Sequence, residues 1–292
     1  MTQQTLPALR SQDLVFTLYG DYLLDKEGPV WTGSLITLLG DLSLSPMAVR
    51  TVLSRMVRKG WLTAQRRGNR SFHGLTRQGA RLLQAGQERI HHPPKGDVWD
   101  GSWHVVSYTI PEQRRQLRDK LRVRLKWLGC GALSNGLMIT PHDIRREVQE
   151  IAESLRITKY VEVFRAAHVG FSSLDRMVSQ CWDLAAIDRR YASFIARWSI
   201  SKCRTCGLSV KGQPIHAPCI DHAACFRRRF LLVHEYRSFP LDDPYLPKAL
   251  LPAGWHGDEA ARLFEAYHTA LAGPAKQYVE NVCRFAERAE VA

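Results

Sequence analysis

A chain of 292 residues with 45% hydrophobic content is long enough for two or three domains of roughly 100 to 150 residues each, with cores of ordinary size. Its 41 Lys and Arg against 28 Asp and Glu give a formal charge of +13, which favours polyanionic partners and leaves nucleic acid and a membrane surface both open. No apolar run approaches the roughly 18 residues of a spanning helix, and the polar start "MTQQTLPALRSQD" lacks the apolar stretch of a secretory signal. Seven cysteines, an odd number without an export signal, fit reduced thiols or metal ligands better than disulfides, so the expectation is a cytoplasmic protein without membrane attachment.

The positive charge is local. Residues 11–44 carry Asp13, Asp21, Asp25, Glu27 and Asp41 against the single Lys26. Residues 45–81 carry nine Lys or Arg and no acid. A first helix is expected from the cap Thr32 through Leu35, Ile36, Leu38 and Leu39 to Gly40, followed by the short connection "DLSLS". Ser45 then caps a second helix with Pro46 at its first position and Gly60 past its end. On that helix Val49, Leu53, Met56 and Val57 form an apolar stripe, and Met47, Arg50, Thr51, Ser54, Arg55 and Arg58 fall on the other face. Two extended pieces, "WLTAQR" and "SFHGL", flank the turn "RGNR" and present Arg66, Arg67 and Arg70.

Helix, tight turn, helix and basic hairpin together predict a winged helix-turn-helix over residues 1–92. In that arrangement Arg50 or Arg55 meets base edges in the major groove of double-stranded DNA, with Arg58 and the polar residues beside them, while Arg66, Arg67 and Arg70 hold phosphate or minor groove. A basic surface hairpin with no partner is the plain alternative. Membrane binding fits less well, because the apolar stripe is sized to pack on neighbouring helices.

"HHPPKGDVWDG", residues 91–101, breaks the helical pattern and marks a boundary. Beyond it, "WHVVSYTI", "GALS", "GLMIT" and "YVEVFRAAHV" read as strands, and "EQRRQLRDKLRVRLKWL" and "DIRREVQEIAESL" as helices. The order βαββαβ over 98–170 is ferredoxin-like, a dimerisation or relay module. This segment resembles the small CRISPR-associated adaptation subunit, which implies a rival reading as a metal-dependent nuclease. That family's carboxylate near the end of the first strand is replaced here by Ser107-Tyr108-Thr109, which removes the anchor of a metal site. Seven Lys or Arg stand between Arg114 and Lys126 against Asp119, a solvated face, a DNA contact or a grip on coenzyme A phosphates.

Residues 171–292 read as mostly helical around the proline-rich connector "DDPYLPKALLPAGWHG". Tyr236 and Trp255 suit either a pocket for an aromatic acyl group or a core. An insertion at 201–225 places Cys203 and Cys206 in a C-x2-C, then Cys219 and Cys225, with His216 and His222 nearby. Four thiolates close a tetrahedral structural zinc site, although the C-x5-C half is irregular; reduced thiols and a redox switch are the alternatives.

"LYGDYL", "GSLITLLGDL", "AVRTVLSRMVRKGWL", "RRGNRSFHGLT" and, near the C-terminus, "LLVHEYRSFPLDDPYLPKALLPAGWHGDEAARLF" resemble the PaaX family of phenylacetate-degradation repressors. The resemblance implies a homodimeric operator-binding repressor, released by an aryl-CoA thioester such as phenylacetyl-CoA and needing no cofactor to bind DNA. Two half-sites also suit a two-fold dimer, since one recognition helix reads few base pairs. No G-x-S-x-G, H-E-x-x-H or phosphate-cradling glycine loop is present, so no enzyme is expected. The expected fold is multidomain α+β: winged helix-turn-helix, ferredoxin-like domain and helical C-terminal domain. A module binding nucleic acid without sequence preference remains the second alternative.

Overall fold

The computed structural model describes residues 10–91, 99–199 and 221–288. Helix α1 (Ser11–Leu18) runs into a π-helical turn, Tyr19–Leu23, and a two-residue strand β1 (Val30–Trp31) precedes helix α2 (Thr32–Gly40). Neither α1 nor β1 was expected from the sequence. Helix α3 (Pro46–Arg58), strands β2 (Leu62–Arg67) and β3 (Arg70–Leu75) and helix α4 (Arg77–His91) follow. The three strands form an antiparallel sheet in the order β1-β3-β2. Thr32 does not cap α2. It is the first helical residue, and its hydroxyl donates to the Ser71 carbonyl at 2.7 Å, tying the helix to β3.

The middle segment forms β4 (Ser102–Tyr108), α5 (Arg115–Trp127), β5 (Gly131–Ser134), β6 (Leu137–Thr140), α6 (Arg145–Ser154) and β7 (Val161–Ala167). Its antiparallel sheet has the order β5-β6-β4-β7. Val106 and Met138, adjacent in register, bury against Leu121 and Leu125 of α5 and Val148 of α6, because alternate residues of a strand share one face. On the other face Trp103 stacks on Trp182, whose indole N–H donates to the Gly129 carbonyl at 3.1 Å. Helix α5 exposes Arg115, Lys120, Arg124 and Lys126.

Helices α7 (Leu174–Cys181), α8 (Leu184–Ser199), α9 (His222–Tyr236), α10 (Phe239–Asp242), α11 (Gly257–Ala270) and α12 (Ala272–Arg288) complete the chain. Contacts group the residues into two compact units. One comprises Met1–His91, Phe194–Arg237 and Glu259–Ala292, the other His92–Ser193 and Ser238–Asp258. Residues 171–292, contiguous in sequence, are therefore shared between both units. In the first unit Leu14, Leu18, Leu38, Val49, Leu53 and Met56 pack in one cluster with Phe226 and Phe230 of α9 and Val279 of α12.

Tyr236 is a core residue of the first unit, stacked on Phe264 with ring centroids 3.9 Å apart. Trp255 belongs to the second unit and packs edge-on against Tyr191. The expected metal ligands Cys203, Cys206 and Cys219, with His216, lie outside the described residues; Cys225 is buried in the first turn of α9. Among the described residues no helix is long and apolar enough to cross a membrane.

Candidate nucleic-acid interface

The exposed face of α3 follows from its two ends and its buried stripe. The Ser45 hydroxyl accepts from the Ala48 N–H at 3.2 Å, satisfying one orphan donor, and Pro46 occupies the first helical position. Val49, Val52, Leu53 and Met56 point inward and are buried. Val52 thus takes a place in the stripe that the sequence reading assigned to Val57, which is half-buried; Leu53 and Val52 stand three and four residues before the buried Met56 and share its face. Met47, Arg50, Thr51, Ser54, Arg55 and Arg58 are all exposed, Met47 at 77%. Among the described residues Arg50, Arg55 and Arg58 have no carboxylate partner.

Helix α3 ends in a Schellman closure: Trp61 N–H donates to the Met56 carbonyl at 3.1 Å and Gly60 N–H to Val57 at 2.9 Å. Gly60 sits at φ 72°, which a side chain would strain. The chain then enters β2, and the hairpin closes on Arg67 opposite Arg70. Its base is anchored from α4. The Thr76 hydroxyl donates to the Gly60 carbonyl at 2.7 Å and accepts from Gly79 N–H at 3.0 Å. A Cβ on Gly79 would lie 2.2 Å from the Trp61 carbonyl, so only glycine lets α4 approach this closely.

At the tip, the guanidinium of Arg67 lies 5.1 Å from the Phe72 ring centroid and that of Arg70 lies 5.0 Å from Trp31. Arg66 donates to the Gly68 carbonyl at 3.2 Å. Arg66 and Arg67 are exposed and Arg70 is half-buried. Contact with a ring face holds a guanidinium in place and does not itself remove its charge.

Between α3 and the hairpin runs a groove of about 620 Å³, with Arg50, Ser54 and Arg58 on one wall and Asn69, Arg70 and Ser71 on the other. Two of its lining residues, Thr32 and His73, are held by hydrogen bonds. Thr32 Oγ1 stands 3.2 Å from His73 Nδ1, and the buried Tyr19 hydroxyl donates to the His73 carbonyl at 3.0 Å. Burial lowers the His73 pKa, keeping that ring neutral near pH 7, and burial raises that of Tyr19. The fixed charge of the groove therefore belongs to its arginines. Guanidiniums on an exposed helix face and on an adjacent hairpin offer planar forks of donors suited to base-edge acceptors and to phosphate oxygens.

Of the nine positions expected from the sequence, Arg50, Ser54, Arg58 and Arg70 line this groove; Met47, Thr51 and Arg55 lie on the exposed face of α3 and Arg66 and Arg67 on the hairpin, outside its lining. Trp31, Thr32, Asn69, Ser71 and His73 were missed. Asn69 was legible as the hairpin turn; the others come together only when β1 pairs with β3, a contact across about forty residues.

Residues 10–79 match the family described as PaaX-like protein, 96–178 the PaaX protein central Cas2-like domain, and 182–281 the PaaX-like protein C-terminal domain. Transcriptional repressor PaaX of Escherichia coli is 31% identical over 278 residues, covering 92% of this chain and 82% of that protein. Among solved structures, Uncharacterized protein Rv0674 from Mycobacterium tuberculosis is similar with a TM-score of 0.57 at 20% identity, over 91% of this chain and 97% of that one. At that identity the likeness speaks to fold alone.

Proposed function

The chain belongs to the PaaX family, and from that premise we propose that it is a sequence-specific transcriptional repressor of a phenylacetate-type catabolic operon. Residues 1–92 act as a winged helix-turn-helix, with α3 in the major groove and the β2–β3 hairpin as the wing. The observation that carries the reading is the coincidence of family membership with an arginine face on α3 that has no carboxylate partner among the described residues, beside a basic hairpin. Arg50 or Arg55 reads base edges while Arg66, Arg67 and Arg70 hold phosphate or minor groove. The repressor works as a cytoplasmic homodimer on paired half-sites, residues 98–170 serving dimerisation or relay. No catalytic step is assigned to the chain.

Release from the operator follows binding of an aryl-CoA thioester, phenylacetyl-CoA being the first to test. Such a ligand shifts the equilibrium only through tighter binding to the DNA-free form, and linkage makes DNA weaken thioester binding by the same factor. The test is footprinting and gel shift on the DNA upstream of the chain's own gene, titrated with phenylacetyl-CoA, coenzyme A and phenylacetate. A protected, roughly two-fold-symmetric site released by the thioester alone is the expected result. Binding indifferent to sequence leaves a non-specific module in its place, and metal-dependent cleavage of that DNA leaves the nuclease.

A further inference from the structure

One side chain of α3 is out of keeping with the face it stands on. Met47 is 77% exposed, while Arg50, Thr51, Ser54, Arg55 and Arg58 on that face are all polar or charged. Among the described residues of the first unit, Leu82, at 50%, is the only other large apolar side chain that stands exposed. A single exposed apolar residue is ordinary on a protein surface; what distinguishes Met47 is its place.

The start of α3 does not use Met47. Ser45 caps the helix through the Ala48 N–H, and Pro46 fills the first helical position. The two apolar residues spaced to staple a helix start, one before the cap and four after it, are Leu44 and Val49, and both belong with the core cluster of the first unit. Among the described residues Met47 takes no part in that cluster. Its backbone is nonetheless held by the cap and the proline around it, while its side chain keeps three free torsions and a polarisable sulfur.

Helical spacing sets Met47 beside the polar residues of the same face. Arg50 and Thr51 follow it by three and four residues, and Ser54 by seven. The major-groove edges of the base pairs offer donors, acceptors and one apolar group, the C5-methyl of thymine. Arginine, threonine and serine serve the donors and acceptors. A flexible thioether with no hydrogen to donate serves the methyl.

We infer that Met47 is a specificity-determining residue that packs on one thymine methyl in each half-site, close to the base pair read by Arg50. This rests on the reading of α3 as the helix in the major groove and adds the base feature that its first turn selects. Along the helix axis the two residues are about 4.5 Å apart, against a base-pair rise of about 3.4 Å, which places their targets within about two base pairs of each other.

The test uses the full chain and the operator that footprinting defines upstream of its own gene. Each thymine of the protected half-sites is replaced in turn by deoxyuridine, which keeps the pairing and removes only the methyl. Fluorescence anisotropy gives the affinity of the unaltered protein, Met47→Ala and Met47→Leu. Alanine suits a helix at least as well as methionine, and urea unfolding checks that both variants keep the fold. At one thymine per half-site, deoxyuridine is expected to weaken the unaltered protein about fourfold, the worth of one buried methyl, and about fifteenfold when both half-sites are changed. Met47→Ala is expected to bind the natural operator more weakly by at least that factor and to be indifferent to deoxyuridine at the same thymine, while Met47→Leu keeps the sensitivity. That thymine is expected within about two base pairs of the position where Arg50→Ala relaxes base preference. Equal sensitivity of the unaltered protein and Met47→Ala to deoxyuridine at every thymine overturns the assignment, as does natural-operator binding by Met47→Ala at full strength. Either result, obtained on a protected site, leaves α3 in the major groove. A protein that binds all DNA alike, with no protected site, overturns the major-groove reading, and this assignment with it.

Discussion

Two sets of arginines in this chain look alike in sequence and sit in opposite environments. Arg50, Arg55 and Arg58 on α3 and Arg66 and Arg67 on the hairpin are exposed, and among the described residues none has a carboxylate partner. The run Arg227-Arg228-Arg229 on α9 is as basic as any of them, yet Arg229 is 6% exposed and is held by Asp21 and His268, while Arg228 lies 5.3 Å from the Tyr267 ring centroid. Desolvation separates the two sets. A guanidinium taken out of water must find its counter-charge inside the protein, whereas one left in water is available to an external polyanion. The first set is thus left in water, and Arg229 of the second is a fixture of the fold.

Removing Asp21 tests the contrast most severely. Asp21→Asn strands a buried cation, and urea unfolding is expected to show a loss of about 3 to 5 kcal/mol. A loss below about 1 kcal/mol would place the Arg229 guanidinium in water after all. On the exposed set the sign of the experiment reverses. Arg50→Ala is expected to leave the unfolding curve within about 0.5 kcal/mol of the unaltered protein while weakening operator binding by about 1 to 3 kcal/mol and relaxing base preference at one position per half-site. Unchanged binding and specificity would remove α3 from the groove.

A pH titration sharpens the interior side. His234 Nδ1 lies 2.9 Å from Thr17 Oγ1, and burial, reinforced by the nearby Arg237 guanidinium and opposed by Asp13, pushes its pKa down to about 4. The unfolded chain, with an ordinary imidazole near pH 6.5, therefore takes up a proton first as the pH falls. Stability is held above about pH 6.5 and drained between there and about pH 4, with a loss of about 2 kcal/mol from this group by pH 5. His234→Gln should flatten that part of the stability profile; an identical slope in both proteins would assign it to other groups. The smallest effect is expected at the start of α3, where Ser45→Ala removes the cap on Ala48 N–H and should cost about 1 kcal/mol in thermal or urea unfolding.

The candidate interface was legible because its determinants are local. Ser45-Pro46 and Gly60 bound one helix, the spacing of Val49, Leu53 and Met56 sets its inner face, and Arg67-Gly68-Asn69-Arg70 closes the hairpin, all within a single stretch. The middle sheet was readable for the same reason, with strands and helices in an unbroken order from Ser102 to Ala167. The inner face of α3 was off by one residue, since Val52 and Val57 are both apolar and flank the same stripe. Helix α1 escaped notice because its single turn of buried residues passes into a π turn that no propensity marks.

Sequence alone, then, determined α2, α3, the hairpin and which arginines share a face, because those depend on periodicity, caps and turns within a few residues. Tertiary structure decided that Phe226, Phe230 and Val279 from the far end of the chain complete the core around α1, α2 and α3, that Thr32 ties α2 to β3 instead of capping it, and that Asp21 meets Arg229. These contacts join residues between 39 and 208 or more positions apart. Which distant partner a buried apolar or charged group finds is set by shape and desolvation across the whole unit, and no local pattern encodes it.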